Sequence, residues 1–247
     1  MTALAVSGLA KSFGAVRAVD GVDFEVGSGE LVAMIGPNGA GKSTCFNMLS
    51  GQLAPDAGTI RFDGTEIQGR RPRDIWRLGV GRTFQVAAVF ASMSVRENVQ
   101  VALLSRHRRL AGFWRRAAAQ HVGEAGALLD RVGMLGQADR PCAVLAYGDL
   151  KRTELAIALA NQPRLLLMDE PTAGMAPRER NALMGLAASI VRERGIAVLF
   201  TEHDMDVVFR HADRILVLDR GRIVARGAPA EVRADRQVRR IYLGSAP

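Results

Sequence analysis

The stretch GPNGAGKST, from Gly36 to Thr44, has the residue types and the spacing that are needed to hold a polyphosphate. Its glycines carry no Cβ, so the main chain can approach the phosphate oxygens. Lys42 can reach the terminal phosphates, and the hydroxyl of Ser43 can join the shell of a Mg²⁺ ion. A helix that begins here would direct unpaired N–H groups and its positive dipole end at the anion. We therefore predict a nucleotide site formed by Gly36, Pro37, Asn38, Gly39, Ala40, Gly41, Lys42, Ser43 and Thr44.

Two adjacent carboxylates follow the apolar run LLLM and supply the second half of this chemistry. Phosphoryl transfer needs an acidic group near the metal, and Asp169 is predicted to hold Mg²⁺. Glu170 would point to the other side of the strand end, where we predict that it orients and deprotonates the attacking water. Acids at strand ends also serve as helix caps or lie in solvated turns, so this prediction depends on the phosphate-binding stretch.

Two further side chains are candidates for contact with the nucleotide. His203 ends the apolar run IAVLFTEH, where a parallel sheet delivers residues to the crevice at its carboxyl edge, and this placement suits a γ-phosphate contact. Gln85, in GRTFQ, could reach Mg²⁺ or the water from a loop. A single histidine is more often a structural or surface group, so both predictions rest on the rest of the pattern.

The segments that carry these residues predict an α/β core with a parallel sheet and helices on both sides. The first thirty residues alternate apolar and polar types, which predicts an antiparallel β subdomain, and another strand pair is predicted around GTIRFDG. The run LVAMI predicts a strand that enters the phosphate loop, and a helix follows to about Ser50. LLLMDE and IAVLFTEH, with a helical segment between them that ends at Gly195, predict parallel strands joined by a right-handed crossover. The tail predicts a hairpin that turns at Arg220 and Gly221, followed by a helix.

A helical, basic stretch interrupts this core. We predict a single domain over 1–247, with a nucleotide-binding core at 1–86 and 161–247 and an inserted helical subdomain at 87–160. Within the insertion, SRHRRLAGFWRR from Ser105 to Arg116 has apolar residues near helical spacing among arginines, which predicts an amphipathic helix. Its basic face is either solvated or in contact with a membrane or a partner.

Composition limits the alternatives. The 247 residues are 48% hydrophobic and 23% charged, which suits one large domain. The sequence has neither the roughly 18–20 uninterrupted apolar residues of a membrane span nor a secretory leader, so we expect a soluble chain in a reducing cytoplasm. Two isolated cysteines, Cys45 and Cys142, are too few for a disulfide framework or a metal site. The net charge of +8 is compatible with nucleic acid, an anionic membrane surface or a solubility bias.

Seven elements occur in one sequence order: KSFG, GPNGAGKST, the glutamine of GRTFQ, LAYGD, LLLMDEP, the turn at Ala173–Met175 and the histidine of EHDM. Together they resemble the ATP-binding subunits of ABC transporters. The resemblance covers nearly the whole chain. It implies ATP and Mg²⁺ as ligands, with Phe13 stacked on adenine, Gln85 linking the metal to a transmembrane partner, Glu170 as catalytic base and His203 as the switch histidine.

The signature segment of that family reads LAYGD in this chain, at Leu145–Asp149, whereas its commonest form is LSGGQ. The family uses it to cap the γ-phosphate of ATP that is bound to the opposite subunit. Ala146 replaces the serine, and the lost hydrogen bond to a charged group is worth about 1.5–3 kcal/mol if nothing replaces it. Asp149 should repel a phosphate unless it caps the following helix. The resemblance implies nucleotide contacts at Leu145, Ala146, Tyr147, Gly148 and Asp149.

Finer details resemble the high-affinity branched-chain amino acid importers. These are LAYG, EHDM at Glu202–Met205, the basic insertion and the ending IYLG at Ile241–Gly244. The resemblance implies transmembrane permease subunits, a second ATP-binding subunit that closes with this one on two ATP molecules, a substrate-binding protein, and a peripheral location on the cytoplasmic face of the inner membrane. Nucleic acid is not expected as a partner.

Other functions stay open at this point. Urea importers and the lipopolysaccharide-exporting ATPase share parts of the pattern. A soluble ABC protein that acts on ribosomes or DNA could use the basic patch, although such proteins usually carry two such domains or a long coiled coil. An unrelated P-loop kinase or GTPase would not explain LAYGD or His203.

Overall fold

The structure is a computed structural model that describes residues 1–85, 87–107 and 120–243, with the backbone alone described at 242 and 243. Most of the amphipathic helix predicted for Ser105–Arg116 lies outside the described residues, as does the last residue of the IYLG ending. None of the described helices combines the length and the apolar composition that a membrane span requires.

A four-stranded antiparallel sheet forms near the N-terminus, in the strand order β2-β1-β4-β5. The alternation of the first thirty residues therefore predicted the strand pair correctly, and the pair around GTIRFDG is also present. These strands are β1 (Thr2–Phe13), β2 (Val16–Gly27), β4 (Ala57–Phe62) and β5 (Thr65–Glu66).

A six-stranded sheet forms the centre, in the order β10-β9-β3-β8-β7-β6. Neighbouring strands are parallel, except that β10 returns antiparallel to β9. The turn between these two lies at Arg220 and Gly221, as predicted, and both have positive φ. The strands are β3 (Leu31–Ile35), β6 (Val80–Thr83), β7 (Leu165–Asp169), β8 (Ala197–Thr201), β9 (Arg214–Asp219) and β10 (Arg222–Gly227).

Helices cover this sheet and connect its strands. The helix that joins β7 to β8 ends at Arg194, and Gly195 follows in the left-handed conformation that glycine tolerates. Among the described residues, short 3₁₀ helices lie at Leu135–Gln137 and Cys142–Val144. The described α-helices are α1 (Lys42–Leu49), α2 (Pro72–Arg77), α3 (Val95–Arg106), α4 (Val122–Arg131), α5 (Tyr147–Ala160), α6 (Pro177–Arg194), α7 (Met205–His211), α8 (Pro229–Ala234) and α9 (Arg236–Leu243).

The central sheet is buried on both faces. Alternate residues of β3 belong to two hydrophobic clusters: Leu31, Ala33 and Ile35 face one that includes α3 to α7, while Val32 and Met34 face one that includes the antiparallel sheet and α1. A strand whose side chains are apolar on both faces is typical of a parallel sheet that lies between two layers. This burial fixes the end of β3, from which the phosphate loop departs.

Helices α3, α4 and α5 pack against one another within the stretch that was predicted to be a helical insertion. The helix α3 begins at a capping box in which Ser94 and Glu97 exchange side-chain and backbone hydrogen bonds. The boundaries of the subdomain at 87 and 160 stay a prediction.

Candidate active site

The loop between β3 and α1 owes its shape to three glycines. A Cβ on Gly36 would lie 2.1 Å from the carbonyl oxygen of Leu218, and one on Gly41 would lie 2.2 Å from that of Ala18. Gly39 has a φ of +78° and no heavy atom within 4 Å of the position of an added Cβ, so its main chain borders open space. The glycines therefore allow close packing on one side of the loop and an open cradle on the other.

Lys42 folds back over this loop. Its Nζ donates to the carbonyl oxygens of Gly36 at 2.7 Å and Pro37 at 3.1 Å. Burial lowers the pKa of Lys42, and the nearby charges of Glu170 and Asp169 oppose that shift. The ammonium group thus donates to two neutral carbonyl oxygens, and a polyphosphate in the cradle would offer it a stronger, charged acceptor.

The two predicted acids lie at the carboxyl end of β7. Asp169 accepts a hydrogen bond from Thr201 Oγ1 at 2.9 Å through Oδ1, and its Oδ2 lies 3.3 Å from Arg82 NH2. The same Thr201 hydroxyl accepts from the backbone N–H of Glu170 at 3.0 Å. One hydroxyl therefore fixes the carboxylate of the first acid and the main chain of the second.

The carboxylate of Glu170 lies between the two other predicted polar residues. Gln85 Nε2 donates to Glu170 Oε2 at 2.8 Å, and His203 Nε2 lies 2.9 Å from Glu170 Oε1. The backbone of Glu170 has a φ of 45°, which is unfavourable for a residue with a side chain. The backbone at the strand end is therefore strained at the residue whose side chain contacts Gln85 and His203.

A cavity of about 320 Å³ joins these groups to the phosphate loop. Phe13 is 52% exposed at this cavity, so its ring is available for stacking. The cavity is lined by Phe13, Ala18, residues 38–44, Glu170 and His203. Gln85 joins the group through its hydrogen bond to Glu170, and Asp169 through Thr201. The structure therefore brings together the loop, both acids, Gln85 and His203, while their roles stay predictions.

The donor set fits a hard cation beside a polyphosphate. Mg²⁺ prefers oxygen ligands, and the predicted ligands offer a hydroxyl at Ser43, a carboxylate at Asp169 and an amide oxygen at Gln85. Gln85 uses its nitrogen toward Glu170, which leaves its oxygen for a metal.

The LAYGD segment does not line this cavity in its own chain. Ala146 is the N-cap of α5 and makes no side-chain cap hydrogen bond. Asp149, for which sequence reasoning allowed a capping role, is instead the third residue of the helix, where its charge is favourable to the helix dipole. Tyr147 is 37% exposed, and its hydroxyl donates to the backbone oxygen of Gln85 at 3.1 Å.

Sequence reasoning missed Arg82 and Thr201. Arg82 extends from β6 and bonds Asn47 and Ser50 at the end of α1 as well as Asp169, so it ties the phosphate-loop helix to the acidic strand end. An arginine inside a strand whose other residues are uncharged was a usable signal. Thr201 offered none, because threonine is common in strands.

A second group of possible metal ligands lies away from this cavity. His107 Nε2 and His121 Nδ1 each lie 3.3 Å from Glu124 Oε2. The two rings stack at 4.6 Å with only 6° between their planes. Because an ion binds near the plane of each imidazole that ligates it, stacked rings cannot share one ion, and we assign no metal here.

Comparison with known proteins agrees with this geometry. Residues 19–173 match the ABC transporter family profile, and residues 222–247 match that of the branched-chain amino acid ATP-binding cassette transporters. The chain is 40% identical to the high-affinity branched-chain amino acid transport ATP-binding protein LivG of Salmonella typhimurium, over 98% of each chain. It is 41% identical to BraF of Pseudomonas aeruginosa, a protein of the same description, again over 98% of each.

Solved structures are similar over the whole length. A nucleotide-free ATP-binding cassette from an ABC transporter superposes with a TM-score of 0.88 at 30% identity and covers 99% of this chain and 100% of its own. An ATP-binding cassette of an ABC transporter in its ADP conformation gives the same values. The α/β fold that the sequence predicted is thereby confirmed.

Proposed function

Because this chain belongs to the ABC transporter family of ATPases, we propose that it is the ATP-hydrolysing subunit of a membrane importer for branched-chain amino acids or a related small amino acid or amide. The observation that carries the catalytic part is the position of Glu170, between Gln85 and His203 at the edge of the phosphate cradle. The match of residues 222–247 to the branched-chain profile supports the cargo class.

The cradle binds ATP through backbone N–H groups and the start of α1, and Lys42 exchanges its loop carbonyls for the terminal phosphates. The exposed ring of Phe13 stacks on the adenine. Ser43, Gln85 and Asp169 would hold the Mg²⁺ ion that accompanies ATP, and the ion would supply neutralisation of the phosphate charge.

Glu170 acts as the base toward the attacking water. Its carboxylate has two polar neighbours that hold it in place, and the backbone bond to Thr201 secures its unusual conformation. His203 contacts the γ-phosphate and Gln85 helps to orient the water. Hydrolysis of a phosphate asks the protein mainly for such positioning and charge neutralisation.

A second ATP-binding subunit completes each site. In this chain Tyr147 is exposed and the LAYGD segment stays outside the cavity of its own cradle. That arrangement supports a pair in which the first turn of α5 in one subunit meets the nucleotide of the other. The partner is a homologous or an identical chain.

Permease subunits are the proposed membrane partners. A cavity of about 330 Å³ between α2, β6 and α5 has an apolar lining that includes Trp76, Val80, Phe84 and Ile157. Phe84 is next to Gln85, so a cytoplasmic segment of a permease seated here would adjoin the active site directly. The chain would then lie on the cytoplasmic face of the membrane as a peripheral subunit, and a substrate-binding protein would deliver the cargo from the other side.

Reconstitution tests this function. The chain is purified with the membrane proteins that accompany it, incorporated into liposomes and supplied with MgATP on its own side and labelled leucine with the binding protein on the other. We expect ATP-dependent leucine accumulation that is lost with Glu170→Gln. Absence of transport of any amino acid or amide, export of lipopolysaccharide, or copurification with nucleic acid and no permease would contradict the proposal.

A further inference from the structure

Helix α5 carries a buried ion pair one turn beyond its N-terminus. The side chains of Lys151 and Glu154 are only 1% and 4% exposed, and Lys151 Nζ lies 3.1 Å from Glu154 Oε2. Burial raises the pKa of Glu154, although the charge of Lys151 and hydrogen bonds from Phe84, Lys151 and Ala88 oppose that shift. Such a pair gives little net stability compared with apolar residues of the same size, so its presence calls for another explanation.

Both members of the pair bind the backbone of one residue. Glu154 Oε1 accepts from the N–H of Phe84 at 2.8 Å, and Lys151 Nζ donates to the carbonyl oxygen of Phe84 at 2.6 Å. The same Glu154 oxygen lies 3.5 Å from the N–H of Ala88. The pair therefore holds both polar groups of Phe84, on a segment 70 residues away from Glu154 in sequence.

The residue held in this way immediately precedes Gln85. The Gln85 side chain donates to Glu170, and its backbone oxygen accepts from the hydroxyl of Tyr147 in the first turn of α5. Three side chains of one helix thus fix the main chain on which Gln85 stands. A displacement of Phe84 would move Gln85 away from Glu170.

We infer that Lys151 and Glu154 are positioning residues for ATP hydrolysis, which hold Phe84 so that Gln85 meets Glu170. This inference rests on the proposed roles of Gln85 and Glu170. It also joins the LAYGD turn, which would face the nucleotide of the other subunit, to the catalytic glutamine of its own subunit.

The first experiment replaces the pair by apolar residues in Lys151→Met/Glu154→Leu, which leaves no unpaired buried charge. In the assembled transporter we expect kcat for ATP to fall about 10- to 100-fold, because misplacement of a catalytic group by about 1 Å can cost a factor of that size. KM and the Kd for MgATP should change less than about twofold, since the phosphate loop is not contacted. The control Arg96→Met/Asp139→Asn removes an ion pair between α3 and the segment that follows the 3₁₀ helix at Leu135–Gln137, and it should leave kcat unchanged.

A double-mutant cycle with Gln85→Ala separates positioning from general damage. If the pair acts through Gln85, the combined variant should be no more than about twofold slower than Gln85→Ala alone. Multiplied losses would overturn the inference, as would an unchanged kcat in the pair variant or a loss that appears in ATP affinity instead. A pair variant that is slow while Gln85→Ala is fully active would also overturn it, although ATP hydrolysis by the chain would stand.

Tyr147→Phe serves if the pair variant does not fold, because it removes only the hydroxyl that contacts Gln85. It should lower kcat by about two- to tenfold and show the same lack of additivity with Gln85→Ala. Lys151→Arg, which keeps a donor for the Phe84 oxygen, should retain more activity than Lys151→Met. Equal losses in these two variants, or additive effects of Tyr147→Phe, would contradict the inference. A wild-type assembly without ATPase activity would refute the proposed function itself.

Discussion

At the scale of single residues, the site depends on a carboxylate that is held in an unfavourable backbone conformation. Glu170 has a φ of 45°, and the hydroxyl of Thr201 accepts from its N–H while donating to Asp169. Strain of this kind persists where the surrounding structure over-determines it, and here β7 and β8 provide that support. The two acids are therefore positioned by one neighbouring side chain.

Lys42→Ala tests the cradle. The substitution removes the only lysine among the residues that line the described cavity, so we expect MgATP affinity to fall at least about tenfold, the loss expected for a charged hydrogen bond. Isothermal titration calorimetry measures it. Arg61→Ala, which removes an exposed cation paired with Glu66 outside the site, is the control. Unchanged affinity in Lys42→Ala would count against the assignment.

Glu202→Gln tests the effect of burial on the pKa of Glu202, the residue that precedes His203. Burial raises the pKa of Glu202, although hydrogen bonds from Thr172 oppose the shift. A raised pKa means that the stability contribution is present below the unfolded value of about 4.5 and is lost as the pH rises through the folded value. The unfolding free energy of Glu202→Gln, minus that of the wild type, should therefore increase from pH 4 to pH 8 in urea titrations.

Glu66→Gln provides the control of opposite sign. A hydrogen bond from Arg61 lowers the pKa of Glu66, so this contribution is present above the unfolded pKa and is lost as the pH falls. The unfolding free energy of Glu66→Gln, minus that of the wild type, should therefore decrease from pH 4 to pH 8. If the difference in unfolding free energy between Glu202→Gln and the wild type does not change with pH, burial does not penalise the charge of Glu202.

At the scale of elements, helix α5 links several parts of the site. The LAYGD segment leads into it, with Ala146 as the N-cap and Tyr147 to Asp149 in the first turn. Its second turn carries the buried ion pair, and its hydrogen bonds reach the segment around Gln85. If α5 meets the nucleotide of a second subunit, as proposed, the order of its N-terminus matters for both sites. The N-cap, however, is Ala146, whose side chain cannot accept a hydrogen bond.

Ala146→Ser should therefore stabilise the chain. A serine at the N-cap can accept from the N–H of the third helical residue, Asp149, and such caps contribute about 0.5–2 kcal/mol. Chemical denaturation should show the gain, and ATPase activity should be equal or higher, since the hydroxyl is also the group that the family commonly uses. A large loss of activity would mean that the alanine is sterically required.

Strands, helix ends and turns could be predicted from the sequence more readily than contacts between residues that are far apart in it. Alternation predicted β1 and β2, Gly195 marked the end of α6, and the turn at Arg220 and Gly221 was correctly placed. These features depend on neighbouring residues. The bond between Arg82 and Asp169 joins residues 87 positions apart, and no periodicity encodes such a pairing. The position of Asp149 was missed because helix starts are fixed by cap geometry that differs by single residues.

At the scale of the whole molecule, two hydrophobic layers hold the predicted site residues at one sheet edge. The phosphate loop follows β3, and the acids follow β7, which is separated from β3 by β8 alone. Because parallel strands deliver their carboxyl ends to the same edge, distant segments meet there. The LAYGD turn lies outside that cavity, so the arrangement supports catalysis by a pair of subunits rather than by one.

The most direct test compares Glu170→Gln with the wild type in MgATP, measuring bound ATP, phosphate release and molecular mass by light scattering. We expect the variant to bind one ATP per chain, to accumulate as a dimer, and to release phosphate at least about 100-fold more slowly, the range of general base catalysis. Glu193→Gln, an exposed carboxylate on α6, should behave as the wild type. A Glu170→Gln chain that hydrolyses ATP at the wild-type rate would contradict the account.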